Sequence, residues 1–173
     1  MNQIELNDYF RTVWKPNLDQ YIYSGYSLID KVKDHEWVLD VGCGINPFKG
    51  KIKNLIGIDP VTDQSDVKTT IEEYQTDQRF DVAFCLGSIN FGSHDNIVRQ
   101  IAHLDQLLTP HARIYWRCNP GRKDHGNSQC ELIDFFPWSK KKHFELSAQF
   151  GYILTDFKWD TNNRMFAEWI KNI

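Results

Sequence analysis

Short apolar runs alternate with a helical pattern through the middle of the chain. The runs end in polar or glycine residues and occupy residues 37–41, 55–59, 80–86 and 112–118. Runs of this length and composition are typical of buried parallel strands. Between the last two runs, apolar residues recur at helical spacing over residues 95–108, and Pro110 ends that pattern. The alternation of strand and helix predicts an α/β fold.

The amino end has a different pattern. Apolar residues at helical spacing predict two helices within residues 1–34, and Asn17 is placed to cap the second one. We expect these helices to cover a Rossmann-like core formed by residues 35–173, with the whole chain, residues 1–173, folding as a single domain.

The carboxyl end predicts a helix followed by a hairpin. The helix covers residues 138–150, and two alternating stretches, residues 152–160 and 164–171, follow it. The turn between them contains Asn163, and Asn tolerates the positive φ that tight turns need. A weaker, mostly polar alternation at residues 66–70 predicts a further strand. The complete prediction is a doubly wound, mostly parallel seven-stranded sheet with helices on both faces and a carboxyl-terminal antiparallel hairpin.

Composition and charge exclude several classes of protein. Hydrophobic residues make up 41% and charged residues 25% of the chain, and no apolar run approaches the ~20 residues of a membrane span. The segment MNQIELNDYF lacks the basic start and apolar core of a secretory signal, so we expect a cytoplasmic protein. The net charge of −3 gives no reason to expect a polyanionic partner. The cysteines, at positions 43, 85, 118 and 130, form no CxxC pair, so we expect reduced thiols and no metal site.

The segment VLDVGCGINPFKG is the most informative part of the sequence. Gly42 and Gly44 remove side chains at the carboxyl end of a predicted strand, where open α/β sheets bind ligands. Asn46 can cap a helix whose first residue is Pro47. Two glycines are as typical of a tight turn as of a ligand site, so this segment alone does not decide between them.

Asp59 ends the next predicted strand, fifteen residues after Gly44. An acidic side chain there can accept hydrogen bonds from both hydroxyls of a ribose. The combination with the glycine segment therefore indicates a nucleotide-like ligand. Two further loops, within RFDVAFCLGSINFG and LLTPHARIYWRCNPG, fall on the same edge of the predicted sheet.

These motifs resemble those of the class I S-adenosylmethionine-dependent methyltransferases over nearly the whole chain. DVGCG is similar to the glycine-rich first motif of that family, GIDP to its acidic second-strand end, FDVAFCLGS to its fourth strand and LLTPHARIYW to its fifth. The sequence departs from the family where Asn46 replaces a frequent third glycine, where the helix after Pro47 is short, and where His111 and Ala112 replace two glycines.

The resemblance implies a set of donor-site residues. Asp40 and Gly42 would contact the methionine end of S-adenosylmethionine, Gly44 would permit close approach, and Asp59 would hold the ribose. The other implied residues belong to the glycine loop, the adenine site and the wall beneath the sulfonium, and they are Asn46, Ile71, Glu72, Leu86, Gly87 and Ser88.

The acceptor side is less specific. The loops after the fourth and fifth family strands offer Asn90, Phe91, Trp116, Arg117 and Asn119, and the predicted amino-terminal helices offer Tyr9, Trp14, Tyr23 and Tyr26. Candidates for a catalytic role are Asn90, His94, His125 and Asn119, although a general base is needed only if the acceptor is protonated. The loop GSINFG lacks the Asn/Asp-Pro-Pro-aromatic tetrapeptide of nucleobase amine methyltransferases. A small-molecule acceptor is therefore favoured, with a protein or RNA site as the second choice.

Two other functions remain open at this point. The chain could bind S-adenosylmethionine without catalysis, as a partner or regulatory protein. It could also be a dinucleotide-dependent oxidoreductase, against which stand Pro47 at the position of the third glycine of GxGxxG and the lack of length for a substrate domain.

Overall fold

The computed structural model describes residues 2–14, 23–121, 133–160 and 163–172. Its helices are α1 (Gln3–Thr12), a 3₁₀-helix (Gly25–Lys31), α2 (His94–Leu107) and α3 (Lys140–Gln149). Its strands are β1 (Val38–Val41), β2 (Leu55–Ile58), β3 (Phe80–Leu86), β4 (Leu108–Cys118), β5 (Tyr152–Trp159) and β6 (Met165–Lys171). Asn17, His125 and Cys130, which are named above, lie outside the described residues.

The strands form one sheet in the order β2-β1-β3-β4-β6-β5. The first four strands are parallel to one another, whereas β6 is antiparallel to both β4 and β5. This order confirms the predicted α/β class, the mostly parallel sheet and the carboxyl-terminal hairpin. The direction of chain progression reverses between β1 and β3, and open α/β sheets bind ligands at such a switch point.

The prediction of a seventh strand at residues 66–70 is wrong: the structure describes these residues, and they do not form a strand of the sheet. That segment makes a single parallel bridge, from Val67 to Ile58, and the sheet has six strands. The side chain of Asp66 accepts a hydrogen bond of 2.8 Å from the backbone N–H of Gly57. The segment has no apolar face to bury, since Val67 is 39% exposed, so it does not extend into a ladder.

One face of the sheet is covered by α2 and α3. Ser93 caps α2 by accepting a hydrogen bond from the backbone N–H of Asn96, and Ser139 caps α3 in the same way through Lys142. The buried residues of the two helices pack with the side chains of this face in one cluster, which includes Ile97, Ile101, Leu104, Leu146, Leu39, Ile114 and Trp169. The helical periods of the sequence are thus confirmed here.

The opposite face differs from the prediction of α-helices on both sides. It is covered by the 3₁₀-helix and by turns that contain Phe48 and Ile52. No helix follows Pro47, because Phe48 turns inward against Phe84, with ring centroids 4.9 Å apart, and Gly50 reverses the chain with a φ of +77°. In the described part of the predicted second helix, the chain forms the 3₁₀-helix instead, which begins at Gly25 with a φ of +63°. No helix in the described part of the chain has the length and apolar content of a membrane span.

Candidate active site

A cleft of about 570 Å³ opens at the carboxyl ends of the parallel strands. Its walls come from the loops after β1, β2, β3 and β4 and from one side of α1. The cleft therefore lies at the carboxyl edge of the parallel strands, where the strand order reverses.

The glycine loop after β1 forms one wall of this cleft. Gly42 and Gly44 both have a positive φ, of +67° and +55°, and residues other than Gly rarely adopt this backbone conformation. A Cβ at Gly42 would lie 2.5 Å from the Cβ of Ser88. A Cβ at Gly44 would lie 3.0 Å from an atom of the Trp14 ring. Both glycines therefore allow a close approach that a larger residue would block.

Asp59 is fixed by the backbone around it. Its Oδ2 accepts a hydrogen bond of 3.0 Å from the N–H of Gly44, and its Oδ1 accepts bonds of 2.8 Å and 3.1 Å from the N–H groups of Val61 and Thr62. A carboxylate offers about four lone-pair sites, so Oδ2 can still accept a further donor. Asp59 lines the cleft, and it joins the glycine loop to the loop after β2.

Asp40 lies within β1, beneath the glycine loop, and does not line the cleft. Its side chain is buried, and burial, together with the negative charge of Asp59, raises the pKa of Asp40 to about 7. Desolvation disfavours the charged carboxylate, so Asp40 holds its proton at pH values where ordinary carboxyls are ionised.

Asn46 and Glu72 also lie outside the cleft lining. The Nδ2 of Asn46 donates a hydrogen bond of 3.0 Å to the carbonyl of Gln64, and with a φ of +55° the residue turns the chain instead of capping a helix. Asn46 thus connects the glycine loop to the loop after β2. Glu72 forms a surface ion pair with Arg99 at 3.3 Å.

The remaining donor-side residues line the cleft. Ile71 is buried at its edge, and the loop after β3 contributes Leu86, Gly87 and Ser88. The Oγ of Ser88 is buried and has no hydrogen-bond partner among the described residues. A buried hydroxyl without a partner is costly, and it is available to a polar ligand group.

On the acceptor side, the structure brings Asn90, Phe91, Arg117 and Asn119 to the cleft, whereas Trp116 does not reach it. Successive side chains of a strand point to opposite faces, so Trp116 faces α2 and α3 when Arg117 faces the cleft. Its ring packs against Trp169, with centroids 4.5 Å apart. The guanidinium of Arg117 forms an ion pair of 2.9 Å with Asp160.

The amino-terminal aromatic residues are divided in the same way. Tyr9 and Trp14 line the cleft, whereas Tyr23 and Tyr26 lie outside the lining and are 39% and 43% exposed. Trp14, expected at the acceptor side, lies against Gly44. Phe10 of α1 and Phe135 are not predicted from the sequence as site residues, and they pack against Phe91 with centroids 5.4 Å and 5.0 Å from it.

No histidine lines the cleft within the described residues. His94 lies outside the lining, with its ring 6.2 Å from that of Phe136. The ionisable residues that line the cleft are Tyr9, Arg11, Asp59, Asp63, Arg117 and Arg164. The described ranges also contain no group of three or more His, Cys, Asp or Glu residues that could hold a metal ion.

Comparison with known proteins identifies the fold. No protein-family model and no curated protein sequence matches the chain. Among solved structures, it is similar to a Burkholderia thailandensis 1,6-didemethyltoxoflavin-N1-methyltransferase with bound 1,6-didemethyltoxoflavin and S-adenosylhomocysteine. The TM-score is 0.75 and the identity 15%, over 98% of this chain and 85% of that one.

Two further structures match nearly end to end. The Synechocystis magnesium protoporphyrin IX methyltransferase with bound S-adenosylmethionine has a TM-score of 0.69 and 12% identity, over 99% of this chain and 100% of that one. A chain of a Haloferax volcanii complex that contains a methyltransferase activator has a TM-score of 0.73 and 12% identity, over 98% of each chain. The chain therefore has the fold of the class I S-adenosylmethionine-dependent methyltransferases, as its motifs predict.

Proposed function

We propose, from this methyltransferase fold, that the chain is an S-adenosylmethionine-dependent methyltransferase acting on a small molecule. The observation that carries the proposal is the position of Asp59. Its carboxylate is held by three backbone N–H groups at the cleft, beside a glycine loop that leaves space for a ligand. Solved neighbours with this fold contain bound S-adenosylmethionine or S-adenosylhomocysteine.

The residues at the cleft fit this donor. Oδ2 of Asp59 would accept a ribose hydroxyl, and Ile71 would provide an apolar contact for the adenine. Gly42 and Gly44 would admit the amino-acid end, and the unpartnered Oγ of Ser88 would offer it a hydrogen bond. Asp40 and Asn46 would act indirectly, Asp40 from beneath the glycine loop and Asn46 by connecting that loop to the loop after β2.

The proposed reaction asks little covalent chemistry of the protein. When bound, S-adenosylmethionine supplies a methyl group that its sulfonium already activates. The residues around it would align an acceptor with that methyl group and exclude water. Leu86 and Gly87 would form the wall on the β3 side, and α1 would close the opposite side.

A small acceptor suits the dimensions of the site. A cleft of about 570 Å³ falls within the range of ordinary small-molecule sites. Two similar structures are, by name, methyltransferases of 1,6-didemethyltoxoflavin and of magnesium protoporphyrin IX. Both acceptors are small molecules, which supports the same class of acceptor here.

The test is a calorimetric titration of the purified chain with S-adenosylhomocysteine, and with NAD as the competing ligand. We expect S-adenosylhomocysteine to bind and NAD not to bind. Asp59→Ala should weaken binding by about 10- to 100-fold, because a hydrogen bond to a charged group is lost. Asp77→Ala is the matched control, since Asp77 is an exposed acid outside the cleft lining.

Three outcomes would contradict the proposal: no binding of S-adenosylhomocysteine, tighter binding of NAD, or equal effects of the two substitutions. If binding is as expected, transfer of labelled methyl from S-adenosylmethionine to a panel of small molecules tests catalysis. A chain that binds the donor and methylates nothing in such a panel would favour the non-catalytic, donor-binding function.

A further inference from the structure

We infer that the methyl acceptor is a planar nitrogen heteroaromatic molecule. It carries a carbonyl oxygen or a ring nitrogen that accepts a hydrogen bond from Asn119. The inference rests on the proposed function and specifies the substrate class of the same cleft. Three features carry it: the orientation of two buried amides, a set of aromatic rings and the ionisable groups at the cleft.

The side chains of Asn90 and Asn119 are oriented by the backbone. The backbone N–H of Asn119 donates a hydrogen bond of 3.1 Å to the side chain of Asn90, so the atom receiving it must be the carbonyl oxygen Oδ1. The Nδ2 of Asn90 then donates to Oδ1 of Asn119 at 2.9 Å. This chain of donors fixes both amides, and it leaves Nδ2 of Asn119 without a partner among the described residues.

That remaining group is a buried donor at the cleft. Asn90 and Asn119 are 2% and 5% exposed, and both line the cleft. Nδ2 of Asn119 has no hydrogen-bond partner among the described residues. An unsatisfied buried donor is costly, so a ligand that accepts a hydrogen bond from it is favoured over one that cannot. The ligand must therefore present an acceptor such as a carbonyl oxygen or a ring nitrogen.

The rings beside this amide pair favour a flat ligand. Phe91 follows Asn90 directly, and Phe10 and Phe135 pack around it with centroid distances of 5.4 Å and 5.0 Å. Tyr9 belongs to the same cluster. Aromatic side chains pair well with other aromatic rings through stacking or edge-to-face contact. A planar ring system placed here would contact these rings while its edge reaches Asn119.

The buried ion pair at the cleft favours an uncharged acceptor. Arg117 is 11% exposed at its side chain and is paired with Asp160, which is 3% exposed, so its positive charge is already compensated. A carboxylate or phosphate ligand would have to compete with that buried pair. An uncharged ring avoids this competition.

The methylated atom would be a nitrogen of this ligand, because such an atom needs no general base. Neutral ring nitrogens and aromatic amines carry a lone pair at neutral pH, whereas a phenol or an alcohol would first have to lose its proton. The nitrogen lone pair forms the new bond to the methyl carbon, the C–S bond breaks, and its electron pair stays on sulfur. Any proton on the methylated nitrogen leaves to water.

The experiment measures ligand binding to the full chain saturated with S-adenosylhomocysteine, by calorimetry. The probes are quinazolinone, which has ring nitrogens and a carbonyl, naphthalene, which has the same ring size without them, and cyclohexylamine, which is not aromatic. We expect quinazolinone to bind most tightly. Asn119→Leu should weaken quinazolinone binding by about tenfold and leave naphthalene unaffected.

Asn119→Leu removes the partner of the Asn90 side chain, so a second variant replaces both residues with Leu. That variant leaves no side-chain amide unpaired, and the backbone N–H of residue 119 loses its acceptor. It should show the same selective loss, while Asn172→Leu, at an exposed position, should show none. Unchanged S-adenosylhomocysteine binding by each variant shows that it is folded. The inference is overturned if quinazolinone binds no better than the other probes. It is also overturned if both Leu variants weaken the binding of naphthalene as much as the binding of quinazolinone. Failure of S-adenosylhomocysteine to bind the unsubstituted chain would instead overturn the proposed function.

Discussion

Gly42 and Ser88 lie in contact across the donor side of the cleft, and the contact leaves no space for a side chain at residue 42. A Cβ built on Gly42 would be 2.5 Å from the Cβ of Ser88, which is closer than such atoms approach. Gly42 follows β1 and Ser88 follows β3, and these strands are neighbours in the sheet. The two loops therefore pack as one wall, and the space between them depends on the glycine.

Gly42→Ala should destabilise the protein and weaken its binding of S-adenosylhomocysteine. The positive φ of +67° destabilises an alanine at this position by roughly 1–2 kcal/mol, and overpacking against Ser88 destabilises it by roughly 1–3 kcal/mol more. Denaturant unfolding gives the free-energy change, and calorimetry gives the change in affinity.

Gly50→Ala separates the two contributions to this loss. Gly50 has a φ of +77°, but a Cβ there would meet nothing within 4 Å, so the variant should show the strain alone. Combining Gly42→Ala with Ser88→Gly should recover the part that comes from the contact. Equal costs for Gly42→Ala and Gly50→Ala would show that the two loops separate freely.

Asp40→Asn should change how stability depends on pH. The pKa of Asp40 is about 7 in the folded protein, because burial and the charge of Asp59 raise it, and about 3.9 in an unfolded chain. The folded state therefore binds more protons between these values, and stability contributed by this group is present at low pH and lost as the pH rises from about 4 to about 7. We expect the loss to be roughly 2–4 kcal/mol.

The comparison of unfolding free energies at pH 5 and pH 8 tests this. Asn has nearly the same shape as Asp and cannot ionise, so the stability of the Asp40→Asn variant relative to that of the wild type should increase between pH 5 and pH 8. Asp77→Asn, at an exposed position, should keep the wild-type profile. If Asp40→Asn also keeps it, the carboxyl of Asp40 is ionised in the folded protein throughout this range.

The strands of the sheet were predictable because their signal is local. The apolar run at residues 80–86 coincides with β3, and the helical period at residues 95–108 differs from α2 by one residue at each end. Buried strands and amphipathic helices carry their burial pattern in the order of their own residues, so the pattern identifies the elements without knowledge of the rest of the fold.

The errors concern segments whose conformation depends on distant residues. Phe48 packs on Phe84, and this contact directs the segment after Pro47 into turns where local capping signals predict a helix. The ion pair between Glu36 and Arg113, with two hydrogen bonds of 2.9 Å, is likewise formed by residues far apart in sequence. Neither contact is visible in local patterns.

The same distinction applies to the candidate site. The positions of Asp59 and Asn119 at the cleft can be predicted from the sequence, because the topology alone brings the carboxyl ends of parallel strands together. Trp116 was misplaced because alternation shows that neighbouring residues face opposite ways without showing which way each faces. Phe135 was missed because it reaches the cleft through an isolated bridge to Phe91 and belongs to no regular element.

His143 lies in an unusual environment at the other face of the sheet. Its side chain is fully buried, and its ring stacks on Trp138 with centroids 4.3 Å apart. Neither ring nitrogen has a hydrogen-bond partner among the described residues. Burial lowers the pKa of His143 to about 3, so the imidazole stays neutral in the folded protein at ordinary pH.

His143→Phe should therefore stabilise the protein, and more so in acid. At pH 7 the gain is about 1–2 kcal/mol, because Phe keeps the stacking on Trp138 and removes buried polar atoms without partners. In an unfolded chain the pKa of His is about 6.5, so the wild type loses stability as the pH falls from about 6.5 to about 3, and the variant does not.

The contribution of His143 opposes that of Asp40 between pH 4 and 6.5, so the stability of the wild type should be nearly constant there. With rising pH in this range, the stability of the Asp40→Asn variant should increase and that of the His143→Phe variant should decrease. Unfolding by denaturant across this range measures all three profiles, with His35→Phe, at an exposed position, as the control. A variant less stable than the wild type at pH 7 would show that the imidazole of His143 makes a stabilising hydrogen bond in solution.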